Sequence, residues 1–327
     1  MKIPIFRSSL TTFIDDLVRL RQSLGYNDHN LISHLAHFDR YLIALGWTGK
    51  VLTRELVEDW ASSPGPIKPP TRAKRLHTMR VLGRFIAQTR PDSFIPGPVW
   101  GPRQTTGFRP HIYTPSEIRV LLKEAAKLTP SGSLRPKTYV TLISLLYCTG
   151  LRISEALKLT LNDVDLDDGI LFVRESKFHK SRAVPLHPMT IEGLREYRRS
   201  RDAKQKGLEK EASFFVNQWE RPLKYPLACA TFLQLARRVG VRPPAGQRGP
   251  RIHDLRHTFA TRRLLAWYRD GQDVQARLPL LATYMGHVSI VSTQLYLEVS
   301  AELLQEAATR FKAPQPLDAH TYGGGHL

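Results

Sequence analysis

Apolar residues recur at helical spacing along most of this chain. Leu31, Leu35, Phe38 and Leu42 fall at i, i+4, i+7 and i+11, one stripe of a helix. After the Pro-rich break Ser63-Pro64-Gly65-Pro66-Ile67-Lys68-Pro69-Pro70, a second helix is expected over residues 71–88. Met79, Leu82 and Ile86 form one face of it, and His77, Arg80 and Arg84 repeat the spacing on nearly the opposite face. Upstream, Thr12-Phe13-Ile14-Asp15 has capping-box spacing with Asp in place of Glu. Between residues 90 and 110 the period is lost and Pro and Gly accumulate, which predicts a linker.

Order is expected to resume at Thr114-Pro115-Ser116-Glu117. Thr caps a helix, Pro suits its first position and Glu reaches back. Residues 139–148 are almost wholly apolar and predict a central core helix, which Gly150 stops, placing Arg152 at the start of the next. Asp167-Asp168-Gly169 is a turn signal before the strand Ile170-Leu171-Phe172-Val173, and Arg182-Ala183-Val184-Pro185-Leu186 reads as its return. Lys177 therefore belongs near the tip of a small hairpin. A last amphipathic helix is expected at 301–311, and the Pro- and Gly-rich end, 313–327, is expected to be disordered.

A chain of 327 residues can bury two cores. No apolar run approaches a membrane span, and the first nine residues carry Lys2 and Arg7 without an apolar stretch behind them, so no signal peptide is expected. The two cysteines, Cys148 and Cys229, lack metal-ligand spacing, and buried free thiols in a reducing compartment are expected. Charge narrows the partners. A net +19 with a pI near 10.2 calls for a polyanion, and nucleic acid comes first because phosphates dominate such affinity. An anionic membrane would need a basic amphipathic anchor, which neither terminus supplies.

The chemistry-bearing residues lie in five segments: Thr149-Gly150-Leu151-Arg152-Ile153-Ser154-Glu155-Ala156-Leu157, Lys177, His253-Asp254-Leu255-Arg256-His257, Gly286-His287, and Tyr296. Two arginines, a lysine, two histidines and a tyrosine can grip a phosphodiester and attack it without a metal. A guanidinium is a fixed fork of donors for nonbridging oxygens. An imidazole titrates near the working pH. A phenol, with a pKa of about 10, can attack when helped and can also leave.

In content and order this set resembles the tyrosine recombinase (phage integrase) family. The resemblance implies a mainly α, two-domain C-shaped clamp. A helical core-binding (SAM-like) domain at 1–92 is joined by a linker at 93–112 to a mixed, mainly α catalytic domain with a small β-hairpin or sheet at 113–312. It implies that Tyr296 attacks DNA to form a 3′-phosphotyrosyl link, that Arg152 and Arg256 clamp the phosphate, and that His287 donates to a nonbridging oxygen. His253 takes or relays the tyrosine proton. Lys177 protonates the departing 5′-oxygen, with His179 and Lys180 as rivals. Glu155 and His257 support the site, and Lys74, His77, Arg80, Arg84 and Lys180 are candidate DNA contacts.

No cofactor is implied. The expected partner is double-stranded DNA, held by a homotetramer on two sites, with related recombinases or accessory proteins possible and no membrane. The location implied is cytoplasmic, on the nucleoid. The activity implied is integration or transposition of a mobile element, with a type IB-like topoisomerase or a Xer-like chromosome-dimer resolvase as alternatives. A regulator that kept the fold but lost catalysis would lack a catalytic residue, and none is missing. The stretch of 267–279 is expected as an extra segment before Gly286. His253-Asp254-Leu255-Arg256-His257 also resembles a zinc-protease helix, but Asp254 is one methylene short of the glutamate base and no third ligand follows at standard spacing.

Overall fold

The structure, a computed structural model, describes residues 4–26, 28–63, 65, 67–97, 110–174, 181–205 and 207–286. Lys177, Lys180, His287, Tyr296, the helix expected at 301–311 and the tail at 313–327 lie outside the described residues. Contacts divide the chain into two units, Met1–Gly107 and Phe108–Leu327.

The first unit holds four helices, α1 (Thr11–Ser23), α2 (His29–Leu45), α3 (Arg54–Ser62) and α4 (Pro69–Ile86). Leu35, Phe38 and Leu42 of α2 are buried with Trp60 of α3 and Met79, Leu82 and Ile86 of α4. The expected capping box at Thr12 is absent. The helix begins two residues earlier than that cap would place it, at Thr11, and Leu10, its N-cap residue, is wholly buried. The chain is brought in instead by the buried Asp39 carboxylate, which accepts from the backbone N–H groups of Arg7 (3.1 Å) and Ser8 (2.9 Å). The helix expected at 71–88 starts two residues earlier because Pro69 and Pro70 fit its first turn.

Ser93 and Phe94, inside the expected linker, are held on this unit. The Phe94 N–H donates to the Leu52 carbonyl (2.8 Å), and the Leu52 N–H donates to Ser93 Oγ (3.1 Å). The returning chain also changes the reading of Arg80. Its Nε donates to the Pro96 carbonyl (2.8 Å) and its Nη2 to Gly97, so the guanidinium clasps this strand of backbone. Lys74, His77 and Arg84 remain exposed on α4.

In the second unit the Thr114 capping box forms as expected and opens α5 (Pro115–Ala125). The apolar segment becomes α6 (Arg135–Thr149), packed against α5, α8 (Pro188–Asp202) and α10 (Asp254–Arg269). Between α6 and α8 lie the short α7 (Ile153–Lys158) and an antiparallel sheet of order β1-β2-β3, formed by Val164–Asp165, Ile170–Val173 and Arg182–Pro185. Leu171 faces Val184, and both are fully buried. The two-residue β1 is an addition to the expected hairpin, too short to leave a period in the sequence. After α9 (Tyr225–Arg238), α10 turns at Gly271 into α11 (Val274–Met285). The segment expected as extra, 267–279, is thus the end of one helix and the start of the next, with Trp267 packed on the cluster they share.

Cys148, expected to be buried, is exposed. It sits on the wall of an open cavity of about 960 Å³ between α6, α8 and α10. An almost wholly apolar helix does not disclose in sequence which side its neighbours leave uncovered. Cys229 is half-buried, and both thiols are free. No described helix is long and apolar enough to cross a membrane.

Gly83 tests how tightly the first unit is built. Alanine would favour the helix by about 1 kcal/mol, yet a Cβ there would lie 2.6 Å from the Phe94 carbonyl oxygen. That carbonyl belongs to backbone already tied to Leu52, so the clash should outweigh propensity, at about 1–3 kcal/mol. Gly83→Ala is expected to lower the melting temperature of the first unit; an unchanged or higher value would contradict this packing.

Candidate active site

Gly150 ends α6 in the left-handed conformation (φ +63°), which turns the chain so that Arg152 becomes the N-cap of α7. A Cβ on Gly150 would lie 2.4 Å from the Phe259 ring of α10, so the position needs glycine for space as well as for φ. The close approach brings the Gly150 carbonyl to Arg256, whose Nη1 donates to it at 2.7 Å. Arg256 is only 2% exposed. Its Nη2 donates to the Met285 carbonyl at 2.8 Å. Arg152 Nη2 donates to the next carbonyl, that of Gly286, at 3.1 Å. Arg182 Nε donates to the preceding one, that of Tyr284, at 2.9 Å.

Three guanidiniums from α7, α10 and β3 therefore meet three successive carbonyls at the end of α11. A helix leaves its last carbonyls without intrahelical donors, and its dipole favours cations there. Gly286, the left-handed C-cap of α11 (φ +68°), completes the arrangement: a Cβ on it would lie 2.7 Å from the Arg182 guanidinium. His287 follows directly in sequence.

Glu155, three residues after Arg152, is the buried counter-charge. Its Oε1 accepts from Arg152 Nη1 (2.7 Å) and Arg182 Nη1 (3.2 Å). Its Oε2 accepts from the Arg152 backbone N–H (3.0 Å) and Arg182 Nη2 (2.9 Å). Burial works to raise the Glu155 pKa, but the hydrogen bonds and charge of Arg182, followed by the backbone and side-chain hydrogen bonds of Arg152, outweigh it and hold the carboxyl below its ordinary range. The orienting role expected for Glu155 thus has its geometry, with a second arginine that sequence reasoning did not place in the site. Its signal was present. Alternation along Arg182-Ala183-Val184 puts Arg182 on the same face as the buried Val184, and a charged residue on a core face needs a partner.

His253 precedes α10 by one residue, in helical conformation, and His257 lies one turn on; their rings meet edge-to-face at 5.2 Å. Desolvation lowers the His253 pKa, and the charges of Arg256 and Arg251 lower it further, although one side of the residue is open to solvent. Its imidazole is thereby favoured in the neutral form, able to accept a proton. His257 is held lower still, at about 4, by burial and then by the neighbouring His253. The start of α10 is fixed by the buried Asp254, which accepts from the Arg251 N–H at 2.9 Å, and by Thr258 Oγ1, which accepts from the Tyr113 N–H at 2.9 Å. Among the residues expected in the site, the structure brings together Arg152, Glu155, His253, Arg256 and His257.

The depressed His257 pKa sets a stability dependence. The unfolded chain takes up this proton near the ordinary value of about 6.5, the folded protein only near 4. Stability from this group is therefore complete above about 6.5 and falls as pH drops toward 4. In His257→Gln the decline of melting temperature over that window is expected to be shallower than in wild type. Parallel curves would show that the imidazole is not held neutral.

The model of the Phage integrase family matches residues 112–302, more than half of the chain. The "Putative integrase/recombinase y4rB" of Sinorhizobium fredii is 35% identical over 308 residues, covering 93% of this chain and 98% of that one. The tyrosine recombinase XerD of Bradyrhizobium diazoefficiens is 26% identical, covering 91% and 94%. Among solved structures, XerH site-specific recombinase bound to its difH substrate superposes with a TM-score of 0.60 at 23% identity, covering 94% of this chain and 85% of that one. The Tn1549 transposon integrase in complex with transposon right end DNA gives 0.63 at 16% identity, covering 91% and 97%, a likeness of fold. With a mainly helical fold, a small antiparallel sheet and this family match across the residues just described, the chain belongs to the tyrosine recombinase (phage integrase) family.

Proposed function

We propose that this protein is a site-specific recombinase that breaks and rejoins duplex DNA through a 3′-phosphotyrosyl intermediate. The observation that carries the reading is the placing of Arg152 and Arg256 on the adjacent carbonyls of Gly286 and Met285. Two forks of donors there can stabilise the charge that develops on a phosphoryl group in transfer, a type of contact whose loss typically costs about 10²–10³ in rate. In this reading Tyr296 is the nucleophile, His253 accepts or relays its proton, His287 donates to a nonbridging oxygen and Lys177 protonates the 5′-oxygen that leaves.

The first unit is a DNA-binding domain in this reading, with Lys74, His77 and Arg84 on the exposed side of α4. The net charge of +19 supports a polyanionic partner, and the Tn1549 integrase was solved with transposon right end DNA and XerH with its difH substrate. Integration or transposition of a mobile element is the role proposed, supported by the integrase-named relative that spans nearly the whole chain. A Xer-like resolvase is the second reading, favoured by the XerD relatives. In both readings the protein works as a homotetramer on two DNA sites, with the apolar stripe Leu303, Leu304, Ala307, Ala308 and Phe311 docking on a neighbouring protomer.

With a nicked suicide substrate, the protein is expected to form a covalent DNA adduct that survives denaturation. Tyr296→Phe should abolish the adduct and leave DNA binding nearly intact, because only one hydroxyl is lost; an undiminished adduct would remove Tyr296 from its role. Lys177→Ala should slow cleavage of ordinary DNA by about 10²-fold or more, the usual range for a lost general acid. A bridging 5′-phosphorothiolate should restore the rate, since a thiolate leaves without a proton. Equal defects on both substrates would assign the proton to another residue, with Lys180 next.

A further inference from the structure

Arg152 faces two demands. Glu155 must hold it in place, yet a carboxylate paired one-to-one with that guanidinium would cancel much of the charge needed for a phosphate. The structure contains a second guanidinium on the same carboxylate. Arg182 donates to both Glu155 oxygens, at 3.2 and 2.9 Å, while Arg152 donates one side-chain bond at 2.7 Å and one backbone bond at 3.0 Å. The Arg182 side chain is 11% exposed and that of Glu155 6%, whereas Arg152 keeps 24% of its side chain open. Of these three, the two charges that neutralise each other are the more enclosed, where Coulomb interactions are less screened.

We infer that Arg182 is a positioning residue that neutralises Glu155, so that Glu155 can orient Arg152 without cancelling the charge Arg152 presents to an oxyanion. The inference rests on the phosphoryl-transfer reading of the site and deepens it. Arg152, Glu155 and Arg182 together carry a single positive charge, located on the more open guanidinium. Removing Arg182 leaves a neutral pair. Removing the charge of Glu155 leaves two unscreened cations. Removing both restores the single positive charge on Arg152, and the amide oxygen introduced by Glu155→Gln can still accept from the Arg152 backbone N–H. Arg182 also donates to the Tyr284 carbonyl beneath Gly286, so the same side chain links the orienting carboxylate to the end of α11.

The test is a set of four variants: Arg182→Met, Arg182→Lys, Glu155→Gln and the double Glu155→Gln/Arg182→Met. Each is read by single-turnover cleavage at saturating DNA, by calorimetric binding of orthovanadate as an oxyanion probe, and by melting temperature. Arg182→Met is expected to slow cleavage and weaken vanadate binding by about tenfold or more, and Arg182→Lys to recover part of both. The double variant is expected to cleave faster and bind vanadate more tightly than Arg182→Met alone.

A residue that only supports the fold would make the second substitution additive. A double variant slower and weaker-binding than Arg182→Met therefore overturns the inference, as does unchanged vanadate affinity in Arg182→Met. The proposed reaction is judged separately, by whether wild type forms an adduct that Tyr296→Phe lacks. Because vanadate binding needs no cleavage, it decides the role of Arg182 even if no adduct forms.

Discussion

The last turn of α11 ends on carbonyls that no helical N–H can reach, and this protein supplies their donors from three separate elements. Tyr284, Met285 and Gly286 receive guanidinium bonds from β3, α10 and α7 respectively. Water could serve a helix end on the surface. Here the acceptors face elements packed closely enough that Arg256 is almost fully buried. The same bonds that complete the helix therefore hold the arginines in fixed directions, and order in the site follows from an ordinary requirement of helix termini. Little further preorganisation is needed, because the rotamers are already set by backbone that must be satisfied anyway.

Bringing three cations together carries a repulsion that the carbonyl dipoles offset only in part. Glu155 provides the counter-charge, and its depressed pKa means that folding keeps it ionised. Replacing one member of such a buried cluster leaves the others exposed to an unbalanced field, typically at a cost of about 3–5 kcal/mol. The glycines enforce the spacing. Gly150 lets α10 approach α6 at the Phe259 ring, and Gly286 leaves room for the Arg182 guanidinium. Both take positive φ, so at these positions conformation and close approach select the same residue.

Much of the local architecture was legible in the sequence, because local signals carry it. The Thr114 capping box, the Gly150 stop and the turn into β2 involve residues within a few positions of one another. What was not legible depended on distant partners. Thr12 has the spacing of a cap, but Asp39 and the burial of Leu10 fix where α1 begins. Arg80 lies on the basic face of α4, yet the chain folds back and offers it carbonyls at Pro96 and Gly97. Cys148 sits in an apolar run on a helix whose uncovered side no periodicity could reveal. Arg152, Glu155 and Arg256 were found through motif order, whereas Arg182 entered only when the register of β3 set it against Glu155.

The arginine cluster also has a consequence for how the protein is made. The Arg152 bond to Gly286 spans 134 residues of sequence, and the Arg256 bond to Gly150 spans 106. Contacts of such separation form late, since loop-closure entropy must be overcome before they contribute. A chain still emerging from the ribosome, with synthesis short of Tyr284, holds Arg152, Arg182 and Arg256 without the three carbonyls at the end of α11 that receive them, and only the Gly150 carbonyl is there for Arg256. Completion of the site is thereby tied to completion of α11. A translation fragment truncated before that helix would lack the scaffold of the site even with most of its charged residues present, so the order of synthesis itself delays assembly of the chemistry.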